Sequence, residues 1–317
     1  MLALSTIVMT KPLWMWLIFA VVVIALLAFD LGVMNRKDHE MSAKESILFS
    51  VFYISMGLLY DLWIYFELGH IKAMEYLTGF VVEKTLSIDN VFVIAMVFAF
   101  FGVPRLYQHR VLFWGILGAV ILRGIMIGLG AALVSEFEWV LYIFAAFLIF
   151  TGIKMLFAKE ESEEDVAKSP ILRFMNNHFR VTKELHAPHF WIRKKDGIWI
   201  TPLLLCLVMV EFADVIFAVD SVPAIFVITT DPYIIYTSNI FAILGLRALY
   251  FVLAAIVKRF HYLKYALSLV LVFIGSKTFI AHFAHMDKFP ISWSLGITFT
   301  ILAGGILFSL WKTGREA

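Results

Sequence analysis

The sequence has a single cysteine among 317 residues, so no intramolecular disulfide framework exists. Cys206 lies inside an apolar run, where it reads as a small core residue. Charge is also scarce. Asp, Glu, Lys and Arg make up 16% of the chain, against about a quarter in soluble globular proteins. With 62% hydrophobic residues and a mean hydropathy of +0.90, that shortage excludes an ordinary soluble fold, and with it disorder, collagen and coiled coil. A net charge of +2 without a dense basic tract gives no footing for nucleic acid. The N-terminus has no basic leader region, since Lys11 is its only charge, and the apolar run from Leu13 is too long for a cleavable signal, so it reads as a retained span.

What the chain has in abundance is long apolar runs. A spanning helix needs roughly 20 such residues. Windows of that kind fall at 13–34, 46–66, 76–101, 109–134, 138–158, 200–228, 233–257, 262–284 and 290–311, which makes nine spans in one transmembrane domain covering 1–317. An odd number puts the termini on opposite sides. Sorting the loops accordingly leaves Lys11, Lys72 and Lys288 on the N-terminal side and 18 Lys and Arg on the other, eight of them in the 159–199 loop. This asymmetry places the N-terminus outside and the C-terminus in the cytoplasm. The 159–199 loop opens with Glu160, Glu161, Glu163, Glu164 and Asp165 and ends near Asp196-Gly197 in what reads as a short hairpin. Its acids, with His178, His186 and His189, fit either a cytoplasmic metal sensor or a solvated linker.

The chain also resembles itself. Ser87-Ile-Asp-Asn-Val-Phe92 matches Phe212-Ala-Asp-Val-Ile-Phe217, setting Asp89 over Asp214, 125 residues apart. Phe150-Thr-Gly-Ile-Lys154 matches Phe273-Ile-Gly-Ser-Lys277 at a separation of 123, and Arg123 and Arg247 follow a weaker third match. Three spans separate the copies, so residues 76–158 and 200–284 form an inverted repeat. Secondary transporters use that architecture and bind substrate near the midplane, often on interrupted helices.

Ten ionisable residues fall inside spans: Lys84, Arg123, Lys154, Arg247, Lys277, Glu83, Asp89, Glu211, Asp214 and Asp220. Each costs about 2.5–3.5 kcal/mol at a helix centre, a penalty tolerated where charges pair, line water or bind an ion. The acids cluster on the first helix of each repeat. Glu83 and Asn90 lie about 20° apart on one helical face, with Asp89 roughly 120° away. Glu211 and Asp214 are one turn apart; Asp220 joins them only if Pro223 unwinds residues 219–222 and frees backbone carbonyls. Carboxylates, an amide oxygen and hydroxyls are hard ligands suited to Mg²⁺, Ca²⁺ or Mn²⁺. Lys84 reads as the ion-pair partner of Glu83, Lys154 and Lys277 as snorkelling residues, and Asp30 and Asp61 as acids near span ends within reach of water. The alternative is that the charges only pair to hold the bundle together. His282 and His285 have ligand-like spacing at an outer span end, and Gly124 and Gly128 allow close helix packing.

Residues 83–92 and 211–226 resemble the two signature stretches of the TerC family, particularly its Alx-type members. The likeness extends through Thr237-Ser-Asn239 to Arg247, the Gly-Ile-Lys of 152–154 and the hairpin before Thr201-Pro202. The resemblance implies a bacterial inner-membrane protein of an all-α, lysine-exporter-like architecture that handles manganese, chiefly by export. It maps the family's acids to Glu83, Asp89, Glu211, Asp214 and Asp220. Related proteins are linked to tellurium resistance and to metal loading of secreted enzymes.

The resulting expectation is a secondary transporter exporting Mn²⁺ as cargo, with no resident cofactor and no enzyme activity. Asp89, Asn90, Asp214 and Asp220 form its metal site. Glu83 and Glu211 line the path or accept protons for antiport, and Lys84, Ser87, Arg123, Ser221 and Arg247 serve as path or ion-pair residues. The lipid bilayer and a divalent metal ion are the expected partners. The rival is a non-transporting membrane scaffold or a metal-delivery partner for secreted metalloproteins.

Overall fold

The computed structural model describes residues 6–34, 42–157, 169–182, 184–185, 188–194, 197–254, 262–286 and 289–316. A short hairpin, β1 (Ile7–Val8) and β2 (Lys11–Pro12), leads into α1 (Leu13–Met34). Then follow α2 (Ala43–Leu68), α3 (His70–Phe100), α4 (Arg105–Glu136) and α5 (Val140–Phe157). A small extramembrane unit holds α6 (Pro170–His178), β3 (Trp191–Lys194) and β4 (Gly197–Ile200), and α7 (Pro202–Ile228), α8 (Pro232–Ile243), α9 (Leu246–Ala254), α10 (Leu263–Phe283) and α11 (Ile291–Glu316) complete the chain.

The helix starts follow local chemistry. Ser42 and Glu45 make a reciprocal capping box at α2, which satisfies two donors that the first turn would otherwise strand. Proline occupies the first position of α6, α7 and α8, where its missing N–H costs nothing. Among the described residues seven helices are long and apolar enough to cross a membrane, and α8 with α9 makes an eighth if the pair is one span. The 31-residue α3 is about 46 Å long. It is set apart from these by Glu83, Lys84 and Asp89 in its middle. The chain is an integral, multi-pass, all-α membrane protein, and its wide apolar exterior, including Phe66, Leu129, Phe150 and Leu307, is the surface lipid covers.

Two expectations about helix continuity are corrected. Pro223 lies inside α7 without ending it. The proline removes one donor, and Val222, Ala224, Ile225 and Phe226 are all buried around it, so packing holds the helix through the defect. The break comes instead between α8 and α9, which were expected to run straight through 233–257 and are bent by 42°. Gly245 there has φ +80, a left-handed conformation that favours glycine, and a Cβ would stand 2.6 Å from the Tyr53 Cβ. Backbone strain and close approach both require glycine at this position.

The pair α5 and α10 packs antiparallel through two glycines. A Cβ on Gly152 would meet Ser268 O and Val272, each at 2.8 Å, and one on Gly275 would meet the Ala145 carbonyl and, at 2.8 Å, Ile149. The expected hairpin near Asp196-Gly197 is present, with Trp191 opposite Ile200 and Arg193 opposite Ile198. Its buried side joins the bundle: Leu172, Phe190 and Ile200 share one apolar core with Phe98, Val111, Leu112, Cys206 and Tyr250. The acidic run 160–165 and His186 lie outside the described residues. Among the described residues no three His, Cys, Asp or Glu side chains gather as metal ligands.

Candidate functional site

The centre of the bundle is organised by Arg123, one of its most deeply buried large side chains, on α4. Its Nε donates to Asp214 Oδ2 at 3.1 Å and its Nη2 to Asp214 Oδ1 at 2.8 Å, a fork-on-fork pairing with a carboxylate of α7. Its Nη1 donates to Glu83 of α3, with Ser221 Oγ at 3.3 Å and Asn239 Oδ1 at 3.5 Å completing the ring. Asn239, on α8, donates in turn to Glu83 Oε2 at 3.1 Å, and Asn90 Nδ2 reaches Asp214 Oδ1 at 3.4 Å. Four helices, α3, α4, α7 and α8, thus converge on one guanidinium. The helical arithmetic holds: Glu83, Ser87 and Asn90 are all buried on the side of α3 that meets this cluster, Ser87 binding the Glu83 carbonyl at 2.8 Å.

Beside the cluster lies a small cavity whose walls include Asn90, Ile94, Gly115, Ala119, Asp214 and Phe217. Its room for the centre of a water-sized particle is about 20 Å³, enough for one water or one ion. Asn90 is buried, and its Oδ1 has no hydrogen-bond partner among the described residues. The same is true of Glu211 Oε2. Glu211 lies against Gly118, where a Cβ would overlap the carboxylate, so this glycine makes the space that the acid occupies.

The structure brings Glu83, Asn90, Arg123, Asp214 and Ser221 together, with Glu211 one turn from Asp214 on α7. The side chains of Asp89 and Asp220 are outside the described set. Lys84, Asp30 and Lys277 are placed differently from expectation. Lys84 does not serve Glu83, whose carboxylate goes to Arg123 and Asn239; its ammonium donates to the carbonyls of Ala242 (2.9 Å) and Leu244 (3.2 Å) at the α8–α9 break. Lys84 satisfies acceptors that the interrupted helix exposes. Arg247 stands away from the centre, with Nη2 2.6 Å from Asp30 Oδ1, so Asp30 is a buried ion-pair partner, also bound by Tyr53, rather than a water-facing acid. Lys277 is buried and donates to Ser294 Oγ at 3.0 Å instead of snorkelling, whereas Lys154 is exposed.

Sequence reasoning missed Asn239 because an amide carries no charge to betray it. The run Thr237-Ser238-Asn239, three fully buried polar residues in an apolar helix, was the available signal. His282 lies 3.2 Å from Tyr142 OH, and Gly124 and Gly128 receive Tyr236, whose hydroxyl donates to Gly124 O at 2.5 Å.

Comparison with known proteins is consistent over most of the chain. Residues 68–317 match the model of the integral membrane protein TerC family. A Salmonella typhi protein named "Putative membrane-bound redox modulator Alx" is 47% identical over 94% of both chains. The Escherichia coli K12 protein of the same name is 46% identical over 95% of this chain and 96% of its own. A Rickettsia felis protein named "Uncharacterized membrane protein" is 48% identical over 93% and 97%. No solved structure matches. With the family's span covered and relatives near half identity from end to end, the chain belongs to the TerC family of integral membrane proteins.

Proposed function

We propose that this protein is a secondary transporter of the bacterial inner membrane that exports divalent metal cations, Mn²⁺ foremost, from the cytoplasm. The observation that carries the reading is the buried meeting of Glu83, Asp214, Asn90, Ser221 and Asn239 beside a cavity lined in part by Asn90 and Asp214, with Asn90 Oδ1 left without a hydrogen-bond partner among the described residues. Oxygen donors of this kind suit a hard divalent ion. Asp89 and Asp220 complete the proposed metal set.

In this reading the chain crosses the membrane nine times, α3 and the α8–α9 pair each making one span, with the N-terminus outside. Support for α3 comes from its length and from Arg123, which offsets the charge of Glu83. Support for an inverted repeat comes from the glycine contact of α5 and α10. Gly152 and Gly275 are 123 residues apart, as are the pairs Ala145 and Ser268, and Ile149 and Val272, so the contact is its own mirror under a two-fold operation. Alternating access would rock one repeat against the other around the central acids.

The scaffold reading is favoured by one observation, the pairing of Arg123 with two carboxylates and with Asn239, which would hold four helices together without any flux. The relatives' name suggests a redox role as well. In this chain such a role finds no thiol pair, since Cys206 is the sole cysteine and is buried. Cellular Mn content under manganese load, in an exporter-deficient host, separates the readings. Export requires that the wild type lower Mn and that Asp214→Asn, at matched membrane abundance, fail to do so. A host whose Mn is unchanged by the wild type moves the scaffold ahead.

A further inference from the structure

We propose that Arg123 is a resident counter-cation, which a divalent metal must displace from Glu83 and Asp214 to enter the central site. The proposal rests on the transport reading above and adds a basis for selectivity. Every group to which the guanidinium donates offers an oxygen: both oxygens of Asp214, Glu83 Oε1, Ser221 Oγ and Asn239 Oδ1. These are the donors a hard cation uses, so the guanidinium and the metal compete for one set of ligands.

The charges favour exchange by a dication. One positive charge faces two carboxylates, so the guanidinium matches only half of their charge, whereas a divalent ion in its place matches all of it. A monovalent ion brings no more charge than the guanidinium and gives up its bidentate hydrogen bonds, so Na⁺ and K⁺ have nothing to gain. A divalent ion gains a charge. The adjoining cavity, lined in part by Asn90 and Asp214, supplies the place where it first stands. When metal leaves, the guanidinium returns, and the carboxylates are never buried together without a cation, a state that costs several kcal/mol.

The test is Mn²⁺ binding to the purified full-length protein in lipid nanodiscs, read from the paramagnetic resonance of free Mn²⁺, for the wild type, Arg123→Lys and Arg123→Gln. Lysine keeps the charge but loses the two-pronged clamp. Displacement therefore predicts tighter binding in Arg123→Lys and, in Arg123→Gln, binding tighter than the wild type by roughly tenfold or more, since a buried charge pair no longer has to be broken. A purely electrostatic bystander would leave Arg123→Lys equal to the wild type, and equality or weakening in that variant overturns the proposal while leaving the transport reading intact. Should neither variant fold, the wild type still decides. Its Mn²⁺ binding must withstand a large excess of Na⁺ at constant ionic strength, and competition by Na⁺ rejects the displacement argument. Absence of Mn²⁺ binding in the wild type and both variants removes the central metal site and this proposal with it.

Discussion

Gly152 of α5 and Gly275 of α10 grip each other's helix reciprocally, each lying where the other helix offers a backbone carbonyl. The Ser268 hydroxyl adds a hydrogen bond to Gly152 O across the same seam. Because the obstacle is backbone rather than a movable side-chain tip, a methyl group at either glycine has nowhere to go. Gly152→Ala and Gly275→Ala should each destabilise the protein by ~1–3 kcal/mol through overpacking. Thermal unfolding in detergent measures this, and an alanine at both positions that leaves the midpoint unchanged would sink the account.

Gly118 offers a contrasting case. The group that a Cβ would meet there is the carboxylate of Glu211, the far end of a flexible chain that can swing aside. Gly118→Ala should therefore leave membrane abundance near wild type while moving Glu211 and lowering Mn²⁺ flux. A variant with normal flux would show that the position of Glu211 does not matter to transport.

The sequence made the apolar runs and the hairpin at Asp196-Gly197 legible, because each rests on periodicity or turn chemistry within one segment, and it made the meeting of α3 with α7 legible through the repeat that sets acids on both helices. It also made Glu83 and Asn90 face-mates, which a fixed 100° step per residue ensures. Partner choice was not legible. Lys84 stands next to Glu83 in sequence, yet successive helical residues diverge by that same step, so one turns to Arg123 and the other to the carbonyls of α8. The break was misplaced for a similar reason: Pro223 is a visible breaker that packing keeps within a continuous helix, while Gly245 breaks the helix because Tyr53, 192 residues away, fills the space beside it.

Lys84 and Gly245 give the next prediction. Lys84→Met removes the donor that satisfies Ala242 and Leu244, and unpaired buried carbonyls cost about 1–3 kcal/mol. Gly245→Ala adds the strain of a positive φ to a clash with the Tyr53 ring. Both should lower thermal stability, with Gly245→Ala the more damaging. If Lys84→Met is as stable as wild type, the carbonyls at the break do not depend on its ammonium.

Proton coupling turns on Glu211. Glu83 and Asp214 are each held by Arg123, and a proton arriving at either must compete with a guanidinium. Glu211 has an oxygen without a partner, lies one turn from Asp214, and no cation among the described residues is placed to pair with it in an ion bridge. It is the acid best arranged to take a proton as metal leaves Asp214. In inside-out vesicles, whose lumen corresponds to the periplasm, an acid lumen should accelerate Mn²⁺ uptake by the wild type, because protons leaving the lumen drive metal into it. Glu211→Gln should lose that acceleration while still binding Mn²⁺ at equilibrium. Wild-type uptake indifferent to the imposed gradient would dismiss antiport, and a Glu211→Gln variant that keeps the acceleration would pass the proton role to another carboxylate.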